Sequence, residues 1–283
     1  MMRSSGHQVR QRDWRSNRSG YYTAVSAHAA AAAACQHVGK SLRGSRVLIQ
    51  GFGSVGAALA GLLAERGALV VGVSTSRGAI YNPAGLDAEH LSRLAQEHRS
   101  ESIRLYAAAD QLDRSALLEL PADILCPCAR SHTIREGNAP RIEAALICAG
   151  ANNPLTPTAE QMLSNRGVLC LPDFVTNCGG VLGGTMAFAA VPPATIESLL
   201  ERFISQRLLR LLQQADHERL LPRAIAEREA RARFEQMHAA AKNPRLLSRL
   251  LTAVIELCGR GWVPAAVVAL MSPRYFKRLL GLT

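Results

Sequence analysis

Short apolar runs alternate along the first two thirds of the chain with longer stretches whose apolar positions recur every three or four residues. The runs Val47–Gln50 and Leu69–Ser74 flank a helical stretch at Ala57–Arg66. Ala122–Cys126, Ala144–Cys148 and Val168–Leu171 read as further buried strands, two of them stopped by Pro127 and Pro172. Helical spacing recurs at Asp87–Arg99, where Leu91, Leu94 and Ala95 share a face, and at Pro157–Asn165, with Gly167 as the stop. Upstream, Ser19 or Thr23 caps a helix running through the alanine run to about Val38, while Gly78–Leu86 reads as turn. Beyond Asn177 the strand pattern ends, and Pro192–Leu221, Arg223–Lys242 and Arg245–Arg260 are helical. Strands alternating with helices predict βαβ units. The expected fold is α/β, a Rossmann-type doubly wound parallel sheet with a C-terminal helical extension. Its expected divisions are a disordered or adventitious segment 1–18, a dinucleotide-binding domain 19–190 and a helical extension 191–283.

The turn after the first strand carries the chemistry. Arg46-Val-Leu-Ile-Gln-Gly51-Phe-Gly53-Ser-Val-Gly56 is an apolar run feeding into GxGxxG, with a helix and a second strand behind it. Gly51 suits the tight turn, Gly53 lets a pyrophosphate approach the backbone, and Gly56 lets helix and strand pack closely. The helix start then offers N–H groups and a positive dipole end to phosphates. Gly51, Gly53, Ser54, Val55 and Gly56 are therefore expected to bind a dinucleotide. A glycine-rich turn without a ligand is the plainer alternative.

Composition narrows the classes. Of 283 residues, 48% are hydrophobic and 19% charged, as in an ordinary globular protein. No apolar run approaches the roughly 18 residues of a membrane span. The net charge of +11 comes from 30 Arg and three Lys against 22 acids, concentrated in the first 18 residues and in Arg202–Arg249. No aromatic platform or nucleic-acid motif accompanies it, so a solvated basic surface is expected rather than a nucleic-acid site. The Arg- and Ser-rich start has the composition of a transit peptide but no amphipathic stripe. Seven Cys, an odd number without a CxxC pair, sit mostly in apolar runs, which suits a reducing cytoplasm. The His spacing proposes no metal site.

In open α/β sheets ligands bind beyond the carboxyl ends of the strands. That directs attention to the loops 51–56, 74–78, 127–133, 150–154 and 173–180. Asn152, Asn153, Asp173, Thr176 and Asn177 are their unusual polar residues. Asn and Asp also favour turns, and for Asn153-Pro154 turn chemistry is an equal explanation; Asn152 and Asn177 are expected to contact ligand.

Five ordered blocks carry a family resemblance: residues 42–56, Ser-Arg-Gly-Ala-Ile-Tyr-Asn-Pro-Ala-Gly-Leu-Asp at 76–87, Ala-Asp-Ile-Leu-Cys-Pro-Cys-Ala at 122–129, Gly-Ala-Asn-Asn-Pro-Leu-Thr-Pro at 150–157 and Leu-Pro-Asp-Phe-Val-Thr-Asn-Cys-Gly-Gly-Val at 171–181. Together they resemble the dinucleotide-binding domain of the glutamate/leucine/phenylalanine/valine dehydrogenases, the glutamate dehydrogenase branch above all. The resemblance implies oxidative deamination of an L-amino acid to a 2-oxo acid and ammonia, with hydride passing to NAD or NADP. It implies that Ser19, Ala129, Asn152 and Asn177 surround the nicotinamide side. It also implies an N-terminal substrate domain supplying a catalytic Lys and Asp. Arg15–Tyr21 resembles the segment just after that domain, and none of the three Lys precedes Lys40. A separately encoded substrate domain, or a homo-oligomeric partner, is the expectation. A non-catalytic dinucleotide-binding module, or a truncated remnant, is the alternative.

Departures from the family cluster on the substrate side. Ala149, His132, Gly184 and Ala187 stand where the family has Glu, Asn, Ser and Glu. His132 and Asp173 are the remaining acid–base candidates. On the cofactor side, the second strand ends Ser74-Thr75-Ser76-Arg77, with no acid between Glu65 and Asp87. NAD sites place a carboxylate there. Three hydroxyls and a guanidinium instead favour NADP over NAD, with Arg77 on the 2′-phosphate; a solvated Arg77 is the alternative.

Overall fold

A computed structural model describes residues 18–242 and 265–282. The expected N-terminal segment up to residue 17 and the expected helix Arg245–Arg260 lie outside the described residues. The chain order begins α1 (Arg18–His37), β1 (Arg46–Gln50), α2 (Ser54–Glu65), β2 (Leu69–Thr75), β3 (Gly78–Tyr81), α3 (Ala88–His98), α4 (Ser102–Leu105) and β4 (Asp110–Leu112). It continues β5 (Ile124–Pro127), β6 (Leu146–Ile147), α5 (Pro157–Asn165), β7 (Leu169–Cys170), α6 (Asp173–Thr176), α7 (Gly179–Phe188), α8 (Pro193–Glu218), α9 (Pro222–Lys242) and α10 (Ala265–Leu279).

The described strands form one seven-stranded sheet in the order β4-β3-β2-β1-β5-β6-β7. From β2 to β7 the pairs are parallel, as the alternation of strands and helices predicts. The difference lies at one edge. The segment read as turn from Gly78 holds β3, which returns antiparallel to β2 through the two-residue loop Ser76-Arg77 and pairs in turn with β4. Only Ala79 and Ile80 of β3 are buried, and β4 is exposed apart from half-buried Leu112. Two apolar residues are too short a run to signal a strand, and β4 carries almost no apolar signal.

Along β1 successive residues serve opposite faces, the period of two that a pleated strand imposes, whereas a register shift in the β1–β2 pairing, where Val47 faces Val70 and Leu48 faces Gly72, brings Val70 and Val73 to the same face. Val47, Ile49, Val70 and Val73 enter one core with α1, α2, α3 and α8. Leu48, Val71, Leu125 and Ile147 enter the other with α5 and its neighbouring turns. Covering both faces explains why the central strands read as continuous apolar runs.

Helix α1 has no polar face: Gly20 to Ala31 are buried without interruption. A helix apolar all round belongs in a core, and its alanines let α2, α7 and α8 approach its axis. It starts at Arg18, so Ser19 and Thr23 lie inside it, and the Thr23 hydroxyl donates to Ser19 O at 2.9 Å. On α7, a Cβ at Gly183 would meet the Tyr22 ring at 2.5 Å, so glycine makes room for that ring. Helix α8 lays Ile196, Leu199, Leu200, Ile204, Leu208, Leu211 and Leu212 against the same core, each side chain worth about 1.5–3 kcal/mol of burial.

Candidate functional site

A cleft of about 1120 Å³ opens at the carboxyl ends of β1, β2 and β5, lined by Gly51, Gly53, Ser54, Val55, Ser74, Thr75, Ser76, Cys128, Ala129 and His132 among others. The glycine turn forms its floor. Gly51 has φ +101°, where L side chains are strained, and a Cβ there would sit 2.6 Å from that of Ala129. Gly53 faces open space, with no atom within 4 Å of where a Cβ would stand. At Gly56 a Cβ would collide with the carbonyl oxygen of Gly51. Each glycine thus meets a separate demand: a turn, an approach and a close packing. Helix α2 starts at this turn with no side chain capping it, which leaves its first-turn N–H groups to the cleft.

Ser74 anchors the turn to β2. Its Oγ accepts from Gly51 N at 3.2 Å, and its carbonyl accepts from Phe52 N at 2.7 Å. Thr75 Oγ1 donates to Ser100 O at 2.9 Å and accepts from Arg77 N at 3.1 Å. Both hydroxyls are buried, and of the three only Ser76 is exposed on the lining. Arg77 lies outside the lining residues, and its Nε pairs with Glu101 at 2.6 Å.

Of the residues expected near the nicotinamide, Ala129 lines the cleft, while Ser19, Asn152 and Asn177 lie beyond the lining, on segments that approach the first turn of α2. A Cβ at Gly20, next to Ser19, would meet Ser54 Cβ at 2.9 Å, and one at Gly150 would meet Val55 at 2.8 Å. Asn177 Nδ2 donates to Asn152 Oδ1 at 2.7 Å and to Ala151 O at 3.2 Å. Ser131 Oγ donates to Asn152 O at 2.8 Å, and His132 N donates to Asn153 O at 2.7 Å. Three loops from different βα units are therefore stitched together.

Asp173 lies beneath these loops, not in the cleft. It is 3% exposed; Oδ2 accepts from Asn153 N at 2.9 Å and Oδ1 from Arg223 at 2.7 Å. Arg223 also grips Glu160 at 2.6 Å. Burial pushes the Glu160 carboxyl up, and the Arg223 charge opposes that rise. His132 has φ +51° and is exposed at the lip of the cleft, with its backbone bonded on both sides. Burial pushes the Cys128 thiol up to about 12, so it stays protonated and is no nucleophile near neutral pH.

The sequence reading missed the cations. Arg99, Arg114, Arg130, Arg135 and Arg141 line the cleft, and Glu136 is the lone carboxylate among its lining residues. Arg141 is held by Glu119 at 2.6 Å. Arginine on a loop carries no signal of where it points, so only the assembled loops reveal this anionic preference. The Arg223 network was equally hidden, since its partners lie 50 and 63 residues away. No group of three or more His, Cys, Asp or Glu suited to a metal occurs among the described residues.

Known proteins share this architecture. Residues 16–219 match the model for glutamate/leucine/phenylalanine/valine dehydrogenases. The glutamate dehydrogenase of Thermotoga maritima is 47% identical over 136 residues, which are 48% of this chain and 32% of that protein. The NADP-specific glutamate dehydrogenase of Saccharolobus shibatae is 38% identical over 148 residues, 52% of this chain and 34% of that one. The hetero-hexameric glutamate dehydrogenase of Thermus thermophilus, solved in a Leu-bound form, matches with a TM-score of 0.66 at 28% identity, covering 73% of this chain and 50% of its own. The match spans about a third of these curated relatives' length. The glycine turn fits the pyrophosphate of NAD(P), and no described helix is long and apolar enough to cross a membrane. With cleft, sheet order and matched residues in agreement, the chain belongs to the glutamate/leucine/phenylalanine/valine dehydrogenase family.

Proposed function

We propose that this chain is the cofactor-binding part of an amino-acid dehydrogenase of the glutamate type, which converts an L-amino acid to a 2-oxo acid and ammonia. The observation that carries the reading is the glycine turn: at Gly51 in a positive-φ conformation that glycine alone takes freely, open at Gly53 and closed against β1 at Gly56. Bound NAD(P) supplies the hydride acceptor. Gly51, Gly53, Ser54, Val55 and Gly56 hold its pyrophosphate. Ser74 and Thr75 shape the tip of β2, Ser76 faces the ribose, and Arg77 stands behind through Glu101. Ala129, Ser19, Asn152 and Asn177 frame the nicotinamide, the two amides being oriented by each other. Residues 19–190 make this domain and residues 191–283 extend it, with α8 bracing α1.

The reading assigns Asp173 to support, since Arg223 and Asn153 occupy its carboxylate. The lining residues include no lysine, and the one carboxylate, Glu136, is among the loop arginines. Proton handling at the substrate amine needs a positioned acid–base group. We therefore place it on a substrate domain outside this fold. Helix α7 offers a surface for that partner: Val181 and Phe188, 76% and 96% exposed, share a stripe with Gly184 and Thr185. Exposed Phe234 and Met237 on α9 support self-association as well. Unbonded thiols throughout the described cysteines support a cytoplasmic location.

Fluorescence titration of the full chain with NADPH and NADH tests the reading, with glutamate oxidation followed in parallel. Binding in the micromolar range with background turnover is expected, and turnover should appear when a substrate domain is added. Failure of both cofactors to bind at millimolar concentration would overturn the assignment. Turnover that stays at background with every added substrate domain would favour a non-catalytic binding module.

A further inference from the structure

Arg99 is the most unusual residue of the cleft. It follows α3 with φ +51° and ψ −125°, a backbone conformation that L side chains rarely adopt. Such strain persists only where the surroundings hold it, and it clusters at ligand sites. The geometry is held by Thr75, whose hydroxyl donates to Ser100 O at 2.9 Å. That bond fastens the turn at residues 99–101 to the tip of β2, where dinucleotide folds read the adenosine ribose. The neighbouring arginines are engaged: Arg77 and Arg104 with Glu101, and Arg93 with Glu89. Arg99 lines the cleft, and its guanidinium has no ion pair or hydrogen bond among the described residues. The tip of β2 itself carries no acid, only Ser74, Thr75 and Ser76, with Ser100 on the lining beside Arg99; the one nearby carboxylate, Glu101, lies outside the lining and is paired with Arg77 and Arg104.

We propose that Arg99, with the Ser76 hydroxyl, binds the 2′-phosphate of NADP and makes this chain prefer NADP(H) to NAD(H). The inference rests on the NAD(P) reading above and assigns its specificity to a residue other than Arg77. Glu101 plays an indirect part: by holding Arg77 and Arg104 it keeps a competing carboxylate off the phosphate. A positive φ at a bulky residue persists against its own strain, which a phosphate contact at that point would explain.

The test is calorimetry and nicotinamide fluorescence on the full chain, using NADPH, NADH, adenosine 2′,5′-bisphosphate and ADP. In the wild type, NADPH should bind more tightly than NADH, and the 2′,5′-bisphosphate more tightly than ADP. Arg99→Ala should weaken NADPH and the 2′,5′-bisphosphate by about 10- to 100-fold, as loss of a charge-assisted bond does. NADH and ADP should change by less than about twofold, since surface charges away from contact contribute little. Arg99→Gly should lose the same preference while raising the unfolding midpoint by about 2–4 °C, because it also releases the strained backbone. That variant guards against a folding artefact. Equal weakening of NADPH and NADH, an unchanged preference in both variants, or a wild type that favours NADH would overturn the proposal. A wild type that binds neither cofactor would instead overturn the NAD(P) reading itself, and this inference with it.

Discussion

The two ends of the cofactor site are built on opposite principles. At the β2 tip the arginines are charged and exposed, and Arg99 is uncommitted. At the α1–α7 end the groups are neutral amides and backbone carbonyls, already bonded to one another through Asn177, Asn152 and Ser131. The first end waits for an anion to complete it. The second is complete as a scaffold but is uncovered, with Val181 and Phe188 facing solvent. Electrostatic recognition needs only one well-placed charge on a solvated surface, whereas hydride transfer needs water excluded. On the proposed reading, the first end would select the cofactor by charge, and hydride transfer at the second would need a cover over it.

The largest expected effect removes the hinge that both ends share. Gly56→Val drives a side chain into the Gly51 carbonyl, a backbone collision that should cost about 4 kcal/mol or more. Thermal unfolding should show a lowered midpoint, and titration should show no binding of either cofactor. A variant that still binds NADH would break the claim that one turn serves both ends.

Arg223→Met tests the scaffolded end. It leaves Glu160 and Asp173 buried without their counter-ion, a loss of about 3–5 kcal/mol. Because the loops at 150–154 rest on Asp173, NADH and NADPH affinities should fall together, unlike the split expected at the other end. Glu160 adds a pH signature. Its carboxyl is raised by burial, so its contribution is present at low pH and lost as pH rises through its raised value. Without Arg223 nothing opposes the rise, so denaturant melts should show a larger penalty at pH 8 than at pH 5.

His28 asks whether acid acts on the cleft or on the core beneath it. It is 3% exposed on α1, both ring nitrogens lack partners among the described residues, and burial foremost, then Arg66, lowers it from 6.5 to about 4. A lowered His stabilises fully above its ordinary value and loses that contribution as pH falls. Between 6.5 and 4 the wild type should lose about 3 kcal/mol in denaturant melts. His28→Leu should flatten that loss and leave cofactor affinity at pH 7 unchanged.

The smallest expected effect sharpens the contrast at the β2 tip. Arg77→Ala removes a half-exposed pair with Glu101, worth about 0–1 kcal/mol. NADPH titration should shift by less than about twofold; a large shift would return the phosphate to Arg77.

Much of this was legible in the chain. The apolar runs of β1, β2 and β5 and the GxGxxG turn locate the sheet centre and the glycine floor of the cleft, because period and glycine chemistry are local. The β2 ending without an acid was equally plain. What escaped was whatever depends on a neighbour. The hairpin partner β3 buries only Ala79 and Ile80, and Arg99 read simply as the last residue of a helix. Arg77 follows β2 directly and so reads as a phosphate ligand, yet the hairpin turn presents it to Glu101.

The sequence by itself determined the family, the fold class and the glycine turn, since these rest on short-range periodicity and on what a residue without Cβ permits. The tertiary structure alone decided which charges are spent and which are free. It paired Arg77 with Glu101, bound Asp173 to Arg223 across 50 residues, and left Arg99 open to the cleft. The physical reason is that a charge acts through distance and burial, and neither is written in the order of residues along a chain.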